Sequence, residues 1–149
     1  MRKLFIISSV AILLATSCDR NAIDLPKLEF ERFNFDFNCY DEISKNEVII
    51  NDQDAFQALL DTTFLNNGSC DSTDLVSIDF TQYTLLGAFR DGSGCSQEFI
   101  RNLYIDEENQ RYIYETRIEE RGGCEPYVYS MNWILAPKLP EGYTIEFIE

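Results

Sequence analysis

The chain of 149 residues contains no histidine. That absence removes the commonest general base at neutral pH, Ser-His-Asp and Cys-His nucleophile activation, and most catalytic zinc sites. Basic residues are also scarce, with 12 Lys+Arg against 26 Asp+Glu. Nucleic-acid binding needs a basic patch to neutralise phosphates, so the balance argues against a nucleic-acid partner. The chain has no internal repeat and no low-complexity tract, which argues for one domain. What the chemistry leaves open is carboxylate work, and what the acidity favours is solubility or attraction to cationic partners.

The first residues have a different character. Arg2 and Lys3 precede an apolar run from Leu4 to Leu14, interrupted only by Ser8 and Ser9, and Ala15-Thr16-Ser17 brings small residues up to Cys18. A charged start, a short apolar stretch and a small-residue cleavage site make a secretory signal, too short to remain as a membrane-spanning helix. Ala15-x-Ser17 fits an ordinary cleavage site. Leu14 to Cys18 fits a lipobox, with leucine one residue further from the cysteine than is usual. Cysteine parity favours the lipobox. Five cysteines are present, and lipidation of Cys18 leaves the even set Cys39, Cys70, Cys95 and Cys124 for an oxidising compartment. The expectation is a signal peptide over 1–17, a lipidated tether over 18–27 and a single domain over 28–149. The lipid on Cys18 then anchors the protein to a membrane of the cell envelope, inner or outer. Without the signal, ten basic residues face 26 acidic ones, a formal charge of −16.

Within 28–149 most of the pattern is β. Phe33, Phe35 and Phe37 alternate with polar residues, and Glu47 to Ile50 reads as a second strand. Asn51 or Asp52 then suits a helix cap, followed by Phe56, Leu59 and Leu60 at helical spacing, predicting a helix over 51–62. Further strands are predicted at Val76 to Phe80, Leu85 to Phe89, Phe99 to Ile105, Tyr112 to Ile118, Tyr127 to Leu135 and Tyr143 to Phe147. The expected fold is α+β, an antiparallel sheet of six to eight strands with one packed helix and two disulfides.

The hairpin register follows from its apolar residues. Placing Phe99, Leu103 and Ile105 on the same face as Tyr112, Tyr114 and Ile118 requires an even-numbered connection. A turn centred on Glu108-Asn109 pairs Phe99 with Ile118, Leu103 with Tyr114 and Ile105 with Tyr112. Extending the ladder puts Cys95 opposite Gly122, two residues from Cys124. A bulge at the glycines then brings Cys95 within disulfide range of Cys124, leaving Cys39 with Cys70.

Candidate sites are few. Asp106-Glu107-Glu108 and Glu119-Glu120 are the densest acidic clusters, but one falls at a hairpin tip and the other at a strand end. No catalytic residue is assigned, and the expectation is a protein that is not an enzyme. Asp52-x-Asp54 and Asp71-x-x-Asp74 lack the glycine and terminal glutamate of a calcium loop, and no CxxC pair exists. No metal or other cofactor is expected. Asp91-Gly92-Ser93-Gly94 reads as a turn-rich loop; with no lysine after its glycines it is not a phosphate-binding loop. Tyr127, Tyr129, Met131, Trp133 and Leu135 share one strand face, as a core stripe or as a ligand-binding surface.

The order of elements resembles a known family. A strand and helix at Val48 to Leu60 lead to "VSIDFTQYTLLGAF", a Gly-rich loop over Asp91 to Cys95, a long hairpin, and a strand from Pro126-Tyr127 to Ala136-Pro137-Lys138. Over roughly 47–149 this resembles the C-terminal domain of the protease-complex subunit PrcB family, small exported proteins that support a partner protease. The chain is also similar to small lipoproteins of Bacteroidetes-type bacteria. It departs from the PrcB pattern at the loop, with Ser93-Gly94-Cys95-Ser96 where the family has Thr-Gly-Gly-Tyr, so no functional residue is carried across. The resemblance implies an envelope-anchored protein-binding module, accessory to or inhibitor of an exported protease or hydrolase. Arg90, Asp91, Gly92, Ser93, Gly94 and Ser96 are its first contact candidates, on a loop pre-ordered by Cys95. The alternative is a carrier whose sheet encloses an apolar ligand against Tyr129, Met131 and Trp133.

Overall fold

The computed structural model describes residues 23–34, 47–66, 77–124 and 127–149, without the side chains of 62–66. Cys18, Cys39 and Cys70 lie outside the described residues, and with them the expected lipidation site and the second disulfide. Eight elements follow in order: β1 (Glu31–Arg32), β2 (Val48–Ile50), α1 (Gln53–Asn66), β3 (Tyr83–Ser93), β4 (Ser96–Asp106), β5 (Arg111–Arg121), β6 (Tyr127–Pro137) and β7 (Thr144–Ile148).

The α+β class and the seven strands agree with expectation, but the strands form two sheets instead of one. One sheet runs β1-β6-β3-β2 and the other β4-β5-β7. The antiparallel expectation fails at one pair. β7 lies parallel to β5, with Arg111 opposite Thr144 and Glu115 opposite Ile148. The chain leaves β5 for the first sheet, forms β6 there and returns, so β7 enters the second sheet in the same direction as β5.

Two clusters of buried side chains define three layers. On one face of the first sheet, Ile50, Leu85, Met131 and Trp133 pack with Phe56 and Leu60 of α1 and with Phe33 and Ile78. On the other face, Leu86, Ala88, Ile134 and Ala136 meet Leu103, Tyr112 and Tyr114 of the second sheet. Helix, sheet and sheet therefore stack, and β3 and β6 are buried on both sides over their 84–88 and 131–134 stretches. Burying a large apolar side chain contributes about 1.5–3 kcal/mol, so these two clusters supply the main drive to fold.

Local physics sets the boundaries. The Ala55 N–H donates to Asp52 Oδ1 at 2.8 Å, the cap expected of Asp52, and α1 then runs four residues past the expected end. Of the strand expected at Val76 to Phe80, the described residues 77–80 form none. Ser77 to Asp79 have no regular structure and Phe80 to Gln82 turn. Asp79 Oδ1 accepts from the Thr81 N–H and hydroxyl, and Oδ2 from Gln82 Nε2, so the side chain gives the backbone a turn in place of a ladder. Ile78 and Phe80 still pack inward, Phe80 with its ring 5.8 Å from that of Phe56.

Of the strand expected around Phe33, Phe35 and Phe37, only β1 is formed within the described residues; Phe33 is buried, and 35–37 lie outside them. The expected tether also reaches into the fold. Leu28 N donates to the Leu103 carbonyl at 2.8 Å and Ile105 N to that of Pro26 at 3.0 Å, so Pro26 to Leu28 flank β4.

The hairpin matches its expected register. Phe99 faces Ile118, Leu103 faces Tyr114 and Ile105 faces Tyr112, with a turn of four residues, 107–110, in place of two. Cys95 is bonded to Cys124 with Cα atoms 4.7 Å apart. Gly122 makes room for the bridge. It sits at φ +79°, and a Cβ there would lie 2.6 Å from Cys95 Sγ.

Candidate functional site

The residues expected to form a recognition loop are largely built into the strands. Asp91, Gly92 and Ser93 continue β3 and pair with Tyr129, Val128 and Tyr127. Only Gly94 and Cys95 form the bend that carries the chain into the second sheet, and Ser96 already begins β4. The bend is held from both sides. Ser93 N donates to Glu120 Oε1 at 2.7 Å, Cys95 N to the Arg121 carbonyl at 2.9 Å, and Gln97 Nε2 to the Gly94 carbonyl at 2.8 Å.

Arg90 is placed inside the molecule, 8% exposed. Its guanidinium donates to the carbonyls of Thr116 at 3.0 Å, Phe89 at 2.6 Å and Ile148 at 3.2 Å, and Nε lies 3.1 Å from Glu149 Oε1. Those acceptors come from β3, β5 and β7. Arg90 thus clamps the two sheets, and its planar fork suits the task.

The stripe on β6 divides in two. Met131 and Trp133 are buried in the cluster beneath α1, whereas Tyr129 and Tyr127 are 57% and 60% exposed. Tyr129, Met131 and Trp133 therefore do not line one enclosed space. Beside the exposed pair, the Tyr129 ring stacks on Phe89 with centroids 6.3 Å apart, and the Tyr127 hydroxyl donates to Asp91 Oδ2. Phe89, Asp91, Tyr127 and Tyr129 share one face of the β3–β6 ribbon, at the end tied by the disulfide. Among the described residues, Ile49 is the one other large hydrophobic side chain left exposed. Tyr127 lies beyond the carrier residues singled out from the sequence. Its signal was present, two residues from Tyr129 on an alternating stripe.

The acidic clusters have structural partners. Asp106 Oδ2 accepts from Asn109 Nδ2 at 2.7 Å and Arg111 Nε at 2.9 Å, and Oδ1 from the Asn109 N–H at 3.1 Å. The Asn109 side chain foremost, with its backbone N–H and Arg111, holds the Asp106 carboxyl below its ordinary pKa. Glu119 lies within 3.9 Å of Arg117 and 3.7 Å of Arg121, while Glu120 is bound to the Ser93 N–H. Among the described residues no group of His, Cys, Asp and Glu could hold a metal ion, and no helix is long and apolar enough to cross a membrane.

Comparison with known proteins finds no family model, curated protein or solved structure that matches the chain.

Proposed function

We propose that this chain is an envelope lipoprotein, anchored through Cys18, whose β domain is a non-enzymatic protein-binding module accessory to or inhibitory of an exported protease or hydrolase. The observation that carries the reading is the exposed pair Tyr127 and Tyr129, backed by the partly buried Phe89 and beside Asp91. Tyrosine is favoured at protein interfaces because it brings a large rigid ring and a polar tip at little entropic cost. Neighbouring exposed aromatics on one flat strand face are poorly explained by solubility alone.

The topology supports the same reading. Pro26 to Leu28 lie beside Leu103 to Ile105, near the β4–β5 tip, whereas the tyrosines lie where β3 and β6 meet the disulfide. From Ile105 back to Ser96 is nine residues of strand, about 30 Å at about 3.4 Å per residue. A lipid on Cys18 would hold one end of the domain at the bilayer and present the tyrosines away from it.

The test is site-specific photocrosslinking in the native envelope with the lipidated protein. A photoreactive phenylalanine analogue at Tyr129 is expected to trap a defined protein adduct, and the same analogue at Glu108, on the opposite tip, is not. Absence of an adduct at position 129, or the same adducts from both positions, overturns the reading.

A further inference from the structure

The packed space between the two sheets contains polar groups that the proposed interface does not use. Arg101 lies on β4 between Phe99 and Leu103, on the face that turns toward the first sheet, and its cross-strand partner is Thr116. No carboxylate pairs with Arg101 among the described residues, although the chain has 26 acids. Its Nε is buried without an acceptor, Thr116 Oγ1 is buried without a partner, and Asn132 Oδ1 is buried without a donor. Thr116 is 1% exposed and Asn132 fully buried. Such atoms ordinarily find partners, so three in one neighbourhood call for an explanation.

The neighbourhood is fixed by independent contacts. The Tyr114 hydroxyl donates to the Asn132 carbonyl at 2.9 Å, and Arg90 Nε donates to the Thr116 carbonyl. Arg32 pairs with Ile134 on β6, on the side of the sheet that faces β4 and β5. Its side chain is exposed, and its charge still acts on Arg101 and Tyr114. Burial first, and then repulsion from Arg32, pull the Arg101 pKa below its ordinary value. The Arg101 guanidinium thus lies beside a buried hydroxyl and amide, and no carboxylate among the described residues pairs with it.

We infer that Arg101, Thr116 and Asn132 form a binding site for a small oxyanion, a carboxylate or phosphate group, between the sheets. The guanidinium fork matches both groups in geometry, and charge-assisted hydrogen bonds are the stronger kind. The Thr116 hydroxyl supplies a further donor, and the Asn132 amide accepts from a protonated or hydroxyl-bearing ligand. This site is independent of the tyrosine face and lies on different side chains.

The test uses the lipidated full-length protein in phosphatidylcholine nanodiscs, titrated with inorganic phosphate or succinate at constant ionic strength set by chloride. Binding is read by calorimetry and by the melting temperature. At least one of the two anions is expected to bind saturably and raise the melting temperature, and which one does so identifies the oxyanion. Arg101→Met and Thr116→Val are each expected to weaken binding roughly tenfold or more. Without the anion, Arg101→Met is expected to melt no lower than the wild type, because it removes an uncompensated buried cation. Arg101→Lys keeps the charge without the fork and serves as a second variant, expected to fold and bind more weakly. Equal response to phosphate, succinate and chloride, or binding that survives in both Arg101 variants, overturns the inference.

Discussion

Individual side chains in this fold are constrained by what lies across the strand from them. Gly87 pairs with Trp133, and a Cβ at Gly87 would sit 2.4 Å from the indole ring. The ring lies over the glycine, so size and not backbone freedom fixes this position. Gly87→Ala is expected to cost about 1–3 kcal/mol by overpacking and to shift the emission of Trp133, the single tryptophan. A urea midpoint and emission maximum equal to wild type would contradict this. Asp106 makes a prediction of the opposite kind, in pH. Its folded pKa is depressed, by Asn109 above all, so its contribution is complete above the unfolded pKa of about 3.9 and is lost as pH falls through the folded value. The stability gap between wild type and Asp106→Asn should hold from about pH 8 to about pH 5 and narrow below about pH 4. A gap that widens on acidification would show that another group controls the β4–β5 turn. Arg101 was legible as a charged residue on the inward side of a predicted hairpin. The role of Arg90 was not, because two of its acceptors, the carbonyls of Thr116 and Ile148, lie on strands distant in sequence.

At the level of elements, the sequence is readable where two alternating patterns are joined by a short connection. The β4–β5 ladder and the Cys95–Cys124 bridge follow from Phe99, Leu103, Ile105 and their partners, since a slip of one residue would send one set to solvent. β7 is a different case. Ile145 and Phe147 alternate in the same way whether β7 runs parallel or antiparallel, and its neighbour β5 is separated from it by the whole of β6. Asp91, Gly92 and Ser93 were read as a loop from their turn-forming composition, but pairing with Tyr129, Val128 and Tyr127 keeps them in β3. The bridge joins the bend after β3 to the segment after β5, two of the places where the chain crosses between sheets. Replacing both cysteines with serine is expected to cost about 3 kcal/mol for a closed loop of this length. Urea unfolding measures it. Proteolysis should then cut first near Gly122 and Gly123; first cleavage in the β4–β5 turn would mean that the bridge does not hold that end together.

Under the proposed function, the two ends of the domain have different tasks. Under the proposed anchoring, Cys18→Ser should move the protein from the membrane to the soluble fraction after a carbonate wash. Retention in the membrane would end that proposal and leave the tyrosine face to be judged alone. The segment from Pro26 to Arg32 first flanks β4 of one sheet and then pairs with β6 of the other. This strap gives the domain a directional resistance to force. Tension on the N-terminal side, in line with β4, loads the Leu28–Leu103 and Pro26–Ile105 hydrogen bonds together, in shear. Tension across the sheet opens them one after the other, as a zipper parts. A pull along the strand axis must break both bonds at once, while a sideways pull strips the strap bond by bond and draws Leu28 and Phe30 off the core between the sheets.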